Sequence, residues 1–197
     1  GGLGSAERGH VVVLGAGSVG LNAAAVAAAI GARVTVLSPG RDRQKRAHAL
    51  GPNVTALPAY ADLVARYVAD ADLLVGAVLI PGARAPRLVD AATVGRMHSG
   101  SVIVDVSVDQ GGCVETIRPT SYDEPTYIVN GVVHFGVTNM PGAVPRTSSQ
   151  ALSSALLPYA LRLAADPDLH DPVLARAANT VDGKIVHPAV REALTQP

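Results

Sequence analysis

The sequence predicts a doubly wound α/β fold: a parallel sheet between two helical layers, three-layer αβα, in a single domain. Three observations point there. An apolar run, Val11-Val12-Val13-Leu14, leads directly into Gly15-Ala16-Gly17-Ser18-Val19-Gly20 and then into the small-residue stretch Leu21 to Ile30. Strand-like and helix-like patterns then alternate along the chain, which is how parallel strands joined by crossover helices read. Finally, 48% of the 197 residues are hydrophobic but only 3% are aromatic, so Val, Ala and Leu must build the core. Such a core suits strands covered on both faces.

Taken in order, strands are expected at 11–14, 33–37, 53–56, 72–75, 101–105 and 133–138, with helices near 18–30, 41–50, 59–69 and 87–97. The run Val102-Ile103-Val104-Asp105-Val106 reads as a central strand with one acid near its end, and Asp105 is read as structural. Asn130-Gly131, between Tyr127-Ile128-Val129 and Val132-Val133-His134, has the composition of a two-residue hairpin turn feeding the last strand. A long helix is expected over 145–165, opened by Pro145 at a permitted first-turn position and bent at Pro158. A second tight turn falls at Asp182-Gly183. The division expected is a tag-like or disordered start at 1–9, a dinucleotide-binding segment at 10–165, and a helical tail at 166–197 that packs on the domain or on a partner subunit.

Composition narrows the partners. Formal net charge is zero and no Lys/Arg block stands out, which argues against nucleic acid or an anionic membrane. No apolar run approaches the roughly 18 residues of a membrane span. A lone cysteine, Cys113, excludes an internal disulfide and fits a reducing cytoplasm. It follows a glycine pair without a nearby base and is read as a small packed residue. No His/Cys/Asp spacing suggests a metal. A small molecule is the expected partner.

The glycine motif says which kind. Strand, Gly-x-Gly-x-x-Gly, helix and second strand together form the dinucleotide fingerprint of the Rossmann fold: Gly15 for the tight turn, Gly17 for close approach of the pyrophosphate, Gly20 for helix–strand packing. Amides at Ser18 and Val19 would then meet phosphate at the positive helix end. About 20 residues on, where an acid usually holds the ribose 2′-OH, the sequence has Ser38, followed by Arg41 and Arg43. A serine there removes a charge that repels a 2′-phosphate, so the cofactor is NADP or NAD, with NADP favoured by Ser38 and Arg41. The two arginines read equally well as solvated first-turn residues of the next helix.

Ligands in such sheets lie beyond the carboxyl ends of the strands. The loops there are Val78 to Arg87, Ser107 to Glu115 and Asn139 to Pro145. Their Asp109-Gln110-Gly111-Gly112 and Asn139-Met140-Pro141-Gly142-Ala143-Val144-Pro145 motifs, with the glycine loop and the closing Asp182 to Val190 segment, resemble the nucleotide-binding half of bacterial alanine dehydrogenase, a family shared with the hydride-transferring subunit of proton-translocating transhydrogenase. The resemblance covers roughly 11–194. It implies a nicotinamide ring against these loops, with Asp109 as the active-site aspartate beside the reacting carbon. Asn139 and Met140 would lie near the ring, and Val78 and Leu79 would line the cleft. Val108 joins the cofactor-binding set. Ser38 departs from the family's usual acid.

Full-length members also carry an amino-terminal substrate domain, expected to be missing here. The function expected is therefore NAD(P)H-dependent hydride transfer to or from a C=N/CH-NH2 substrate. The alternative is a non-catalytic dinucleotide-binding module, or a fragment or half of an alanine dehydrogenase needing a separate substrate domain. Asp109 would stabilise an iminium as a carboxylate or, kept protonated by burial, give a proton to the nitrogen. Its other reading is a loop cap bonding amides near Gly111 and Gly112. Of the histidines, His134 reads as packed within a strand, and His98, His170 and His187 as loop or helix-end residues. With no second domain to close over the ring, a homo-oligomer is expected, its contact near the 145–165 helix.

Overall fold

The computed structural model describes residues 4–195; residues 1–3 of the expected tag-like start and residues 196–197 of the tail lie outside them. The chain divides into two compact units, Gly1–Thr138 and Asn139–Pro197. The helix at 145–165, placed with the first segment from sequence, thus goes with the second unit.

The first unit is built on β1 (His10–Leu14), α1 (Ser18–Ala29), β2 (Arg33–Leu37), α2 (Arg41–His48), β3 (Val54–Leu57), α3 (Ala61–Ala69), β4 (Leu73–Gly76), α4 (Ala91–Val94), β5 (Val102–Asp105), β6 (Thr126–Val129) and β7 (Val132–Phe135). Its sheet runs β3-β2-β1-β4-β5-β7-β6, parallel except for the β6–β7 hairpin. The strand order reverses between β1 and β4. Every residue of β1 is buried, and Val12 pairs with Thr35 on one side and Leu74 on the other.

Strand alternation then divides the core in two. Val12, Leu14, Leu74 and Ile103 pack with Val64 and Val68 of α3 on one face, while Val11, Val13, Val34, Val36 and Val75 pack with Ala24 and Ala27 of α1 on the other. The Ala-rich sequence of α1 lets it lie close to the sheet. This is the three-layer arrangement expected.

Most strand boundaries agree with the sequence to within about a residue or two; one helix does not. In place of a helix over 87–97 there is one turn, Ala91–Val94, capped by Asp90, whose carboxylate accepts from the Thr93 amide at 2.7 Å. The residues before it are claimed elsewhere. Leu88 and Val89 donate their amides to the Cys113 carbonyl at 2.8 and 3.2 Å, and Glu115 donates back to Val89, so this stretch is extended and bridges to Val114. The strand expected to reach residue 138 stops at Phe135, beyond which Val137 bridges to Thr120 instead. Asn130 and Gly131 both hold positive φ, 53° and 78°, as a two-residue primed turn requires.

His134 is fully buried in β7. Its Nδ1 donates to the Val132 carbonyl at 3.0 Å, and its Nε2 lies 2.7 Å from the Thr116 hydroxyl. Burial holds its pKa below 6.5. A depressed pKa means the stability it contributes is present above 6.5 and is lost as the pH falls through that value towards the folded-state one. Urea unfolding of the parent chain should therefore weaken on mild acidification by more than that of His134→Gln, and equal slopes would refute this.

The second unit starts with a 3-10 turn, Met140–Ala143, and contains α5 (Pro145–Ala165), α6 (Pro172–Ala177), β8 (Thr180–Val181), β9 (Lys184–Ile185) and α7 (Pro188–Thr195). Ser148 ties α5 to the turn, donating to the Pro141 carbonyl at 2.8 Å. α5 continues through Pro158, which offers no amide to the turn before it. Asp182 and Gly183, at φ 48° and 73°, close the β8–β9 hairpin.

Candidate functional site

The loop between β1 and α1 is shaped by backbone contacts that exclude side chains. Gly15 sits at φ +97° and donates its amide to the Leu37 carbonyl at 2.8 Å; a Cβ there would lie 2.4 Å from the Ala77 carbonyl oxygen. At Gly20 a Cβ would come within 1.9 Å of the Gly15 carbonyl oxygen. Gly17 is different. It caps α1 with ordinary φ, and an added Cβ would meet nothing within 4 Å. Packing explains Gly15 and Gly20, whereas the open side of Gly17 is free for something from outside to approach the backbone. No side chain caps α1 and no acid occupies its first turn, so the amides of Ser18, Val19 and Gly20 present partial positive charge to that space.

Beside this loop lies a cleft of about 580 Å³ at the carboxyl ends of β1, β2 and β4. Of the residues expected from sequence, Gly15, Gly17, Ser18, Ser38, Arg43, Val78 and Leu79 line it. Gly20 packs beneath the loop. Val19 contributes its side chain to a separate apolar groove of about 680 Å³ with Val11, Val26, Ile30, Leu73 and Val75. Arg41 does not line the cleft; Arg46 does, which sequence reading missed although its place three residues after Arg43 was a usable signal. Asn139 and Met140 belong to the second unit, as cap and first residue of its opening 3-10 turn.

Ser38 is fully buried at the end of β2. Its amide donates to the Leu57 carbonyl at 3.1 Å and its carbonyl accepts from the Gln44 side chain at 2.8 Å, which fixes the first turn of α2 against it. Its hydroxyl makes one long contact, 3.4 Å to the Pro39 carbonyl.

The loop after β5 is organised by Asp105. Its carboxylate is buried and accepts from the amides of Ser107 at 2.9 Å, Cys113 at 2.7 Å and Val114 at 3.1 Å. Burial pushes the Asp105 pKa up against these three donors, which pull it down. Glycines crowd around the carboxylate: a Cβ at Gly76 would lie 2.6 Å from Asp105 Oδ1, and one at Gly112 would lie 3.0 Å from Oδ2. Ser107 extends the chain of contacts, its hydroxyl accepting from the Val78 amide at 2.9 Å. One buried acid thus ties the loop after β4 to the loop after β5. Asp105 was legible as structural; Ser107 as the link was not.

Within that loop Val108 is buried and Asp109 is exposed on the 3-10 turn Val106–Gln110. The burial that a proton-donor reading of Asp109 requires is absent in this unit. Cys113 is fully buried, and both burial and the neighbouring Asp105 carboxylate push its thiol pKa up, so it is inert as a nucleophile. Among the described residues no group of His, Cys, Asp and Glu could hold a metal ion, and no helix is long and apolar enough to cross a membrane.

A family model described as alanine dehydrogenase/PNT, C-terminal domain, matches residues 1–188. Alanine dehydrogenase of Geobacillus stearothermophilus is 45% identical over 203 residues, an alignment that takes in 100% of this chain and 54% of that protein. An L-alanine dehydrogenase structure is similar with a TM-score of 0.87 at 48% identity, covering 98% of this chain and 55% of the other. Transhydrogenase from Sinorhizobium meliloti is similar with a TM-score of 0.75 at 31% identity, covering 92% and 50%. The chain spans about half the length of the curated relatives it matches.

Proposed function

The chain belongs to the alanine dehydrogenase/PNT C-terminal domain family, and from that premise we propose that it binds NAD(P) and serves hydride transfer between the nicotinamide and a CH-NH2 or C=N carbon. The observation that carries this reading is the glycine loop. Gly15 and Gly20 are required by packing, but Gly17 leaves its backbone bare beside uncapped helix amides, a cradle that a Cβ would fill and a diphosphate fits. Bound, the cofactor supplies or accepts the hydride.

The chain's own residues do the rest. Ser18 and Val19 amides hold the diphosphate, and Val78 and Leu79, steadied by Ser107, form the wall along the cleft. Asp109 acts at the substrate nitrogen. As an exposed carboxylate it favours the iminium over the neutral imine, making the carbon a better hydride acceptor. Val108 backs the Asp109 turn, and NADP is favoured over NAD. The chain works in the cytoplasm as a homo-oligomer, supported by the exposed Leu152, Leu156 and Leu157 of α5, a helix with no buried residue.

A second reading rests on the half-length match: a dinucleotide-binding module whose substrate-binding groups come from elsewhere. One variant separates the two. With cyclic imines, or 2-oxo acids plus ammonium, Asp109→Asn should lower the rate of NADPH oxidation by about a hundredfold or more while binding of the reduced cofactor, followed by fluorescence, persists. Unchanged turnover would remove Asp109 from the mechanism. Absence of turnover in the parent chain, with binding intact, would favour the module.

A further inference from the structure

We infer that Arg84 holds the carboxylate of a 2-imino or 2-amino acid beside Asp109, a reading that rests on the hydride-transfer function proposed above and gives its substrate an acid group. The loop after β4 is pinned at both ends to the loop after β5: the Val78 amide donates to the Ser107 hydroxyl at 2.9 Å, and the Ala85 amide donates to the Gln110 carbonyl at 2.9 Å. Between these anchors the chain turns back at Ile80-Pro81-Gly82-Ala83, where the Ala83 amide donates to the Ile80 carbonyl at 3.2 Å and Gly82 takes φ 74°. Proline second and a left-handed glycine third are what a type II turn requires. The turn returns the chain so that Arg84 stands next to the Asp109-Gln110 end of the 3-10 turn. Ala85 and Val108 are buried whereas Arg84 and Asp109 are exposed, so the two charged side chains share the outer side of the paired loops.

Charge and spacing select the ligand. Among the described residues no ion pair engages Arg84, while Arg87, the other arginine of this loop, is committed to the Glu115 carbonyl at 2.8 Å. A guanidinium offers two parallel N–H donors that match a carboxylate. The nitrogen and the carboxylate of a 2-amino acid hang on one carbon, so the groups that hold them must stand within about 9 Å of each other, two hydrogen bonds and the width of the ligand. Backbones joined by a hydrogen bond run about 5 Å apart, which brings Asp109 and Arg84 within that reach. The aspartate then faces the iminium nitrogen and the arginine faces the carboxylate, each opposite in charge to its ligand group. A neutral imine would use Asp109 alone. Ile80 and Pro81 before Arg84, and Pro86 after it, line the cofactor cleft, so the captured acid lies at the edge of that cleft.

The test uses the full chain saturated with NADPH. Pyruvate, added without ammonium, should bind saturably and quench the cofactor's fluorescence, and a cyclic imine carrying a 2-carboxylate should be reduced with a kcat/KM about tenfold or more above that of the same ring without it. Arg84→Ala should weaken pyruvate binding and raise KM for the carboxylated imine by about tenfold, with kcat within about threefold and the neutral ring unaffected. Arg84→Lys, which keeps the charge but loses the fork, should recover part of the loss. NADPH affinity should be that of the parent in both variants, because Arg84 is not part of the cleft lining. If Arg84→Ala binds pyruvate and ranks the two imines as the parent does, or if the parent binds NADPH but no pyruvate, the carboxylate site is overturned while dinucleotide binding stands. If NADPH does not bind, the proposed function falls and this site with it.

Discussion

Gly17→Ala is expected to weaken dinucleotide binding by at least about tenfold while leaving folding stability within about 1 kcal/mol, whereas Gly20→Ala loses about 3 kcal/mol of stability. The contrast follows from what each new methyl meets. At Gly20 it would lie 1.9 Å from the Gly15 carbonyl oxygen, which is backbone and cannot swing aside, so α1 must move off the sheet. At Gly17 it meets no protein atom within 4 Å and the backbone angles are ordinary. The only thing it obstructs is an incoming group. Thermal unfolding and cofactor titration of both variants measure the two effects separately. A Gly17→Ala chain that binds as the parent does would mean that nothing approaches the backbone there.

Asp105→Ala should cost about 4 kcal/mol, the largest loss expected of any single side chain near the site. Three backbone amides point at its carboxylate from within the core, and removal leaves all three without an acceptor at distances now between 2.7 and 3.1 Å. Burial opposes the charge, which reduces the net gain from the acid but not the cost of orphaning its donors. The functional consequence travels through Ser107. With its amide released, its hydroxyl no longer fixes the Val78 amide, and the loops after β4 and β5 lose their mutual register. Urea unfolding and kcat/KM should both fall, and a stability change under about 1 kcal/mol would show that the carboxylate is not the organiser of this loop.

Much of this was legible in the chain itself. The continuous Val and Leu runs placed the central strands because a strand buried on both faces has no polar alternation to blur its ends. Gly15, Gly17 and Gly20 were legible as a motif with a separate reason for each, but the contacts behind those reasons were not. Only the fold shows that two are packed against backbone and one is open. The segment at 87–97 misled because the Cys113 carbonyl that claims Leu88 and Val89 is distant in sequence. Asp105 announced itself as one acid in an apolar strand, but its amide partners come from eight and nine residues away as well as two.

The arginines make the same point. Position after β2 suggested Arg41 and Arg43; which side chains reach the cleft depends on the rotation of α2 about its axis, held by the burial of Ala47 together with the Gln44 bond to Ser38. Local spacing identifies a helix face, but packing decides where the face looks. Asn139 and Met140 entered through family resemblance alone, and they stand in a unit of their own.

Amide NMR shifts of Ser18 and Val19 during titration with NADPH test the phosphate-cradle claim most directly. Both resonances should move in proportion to saturation, as amides donating hydrogen bonds to a diphosphate, and the same titration of Gly17→Ala should need far more cofactor to move them. Saturable binding of NADPH that leaves these two amides where they were would contradict it.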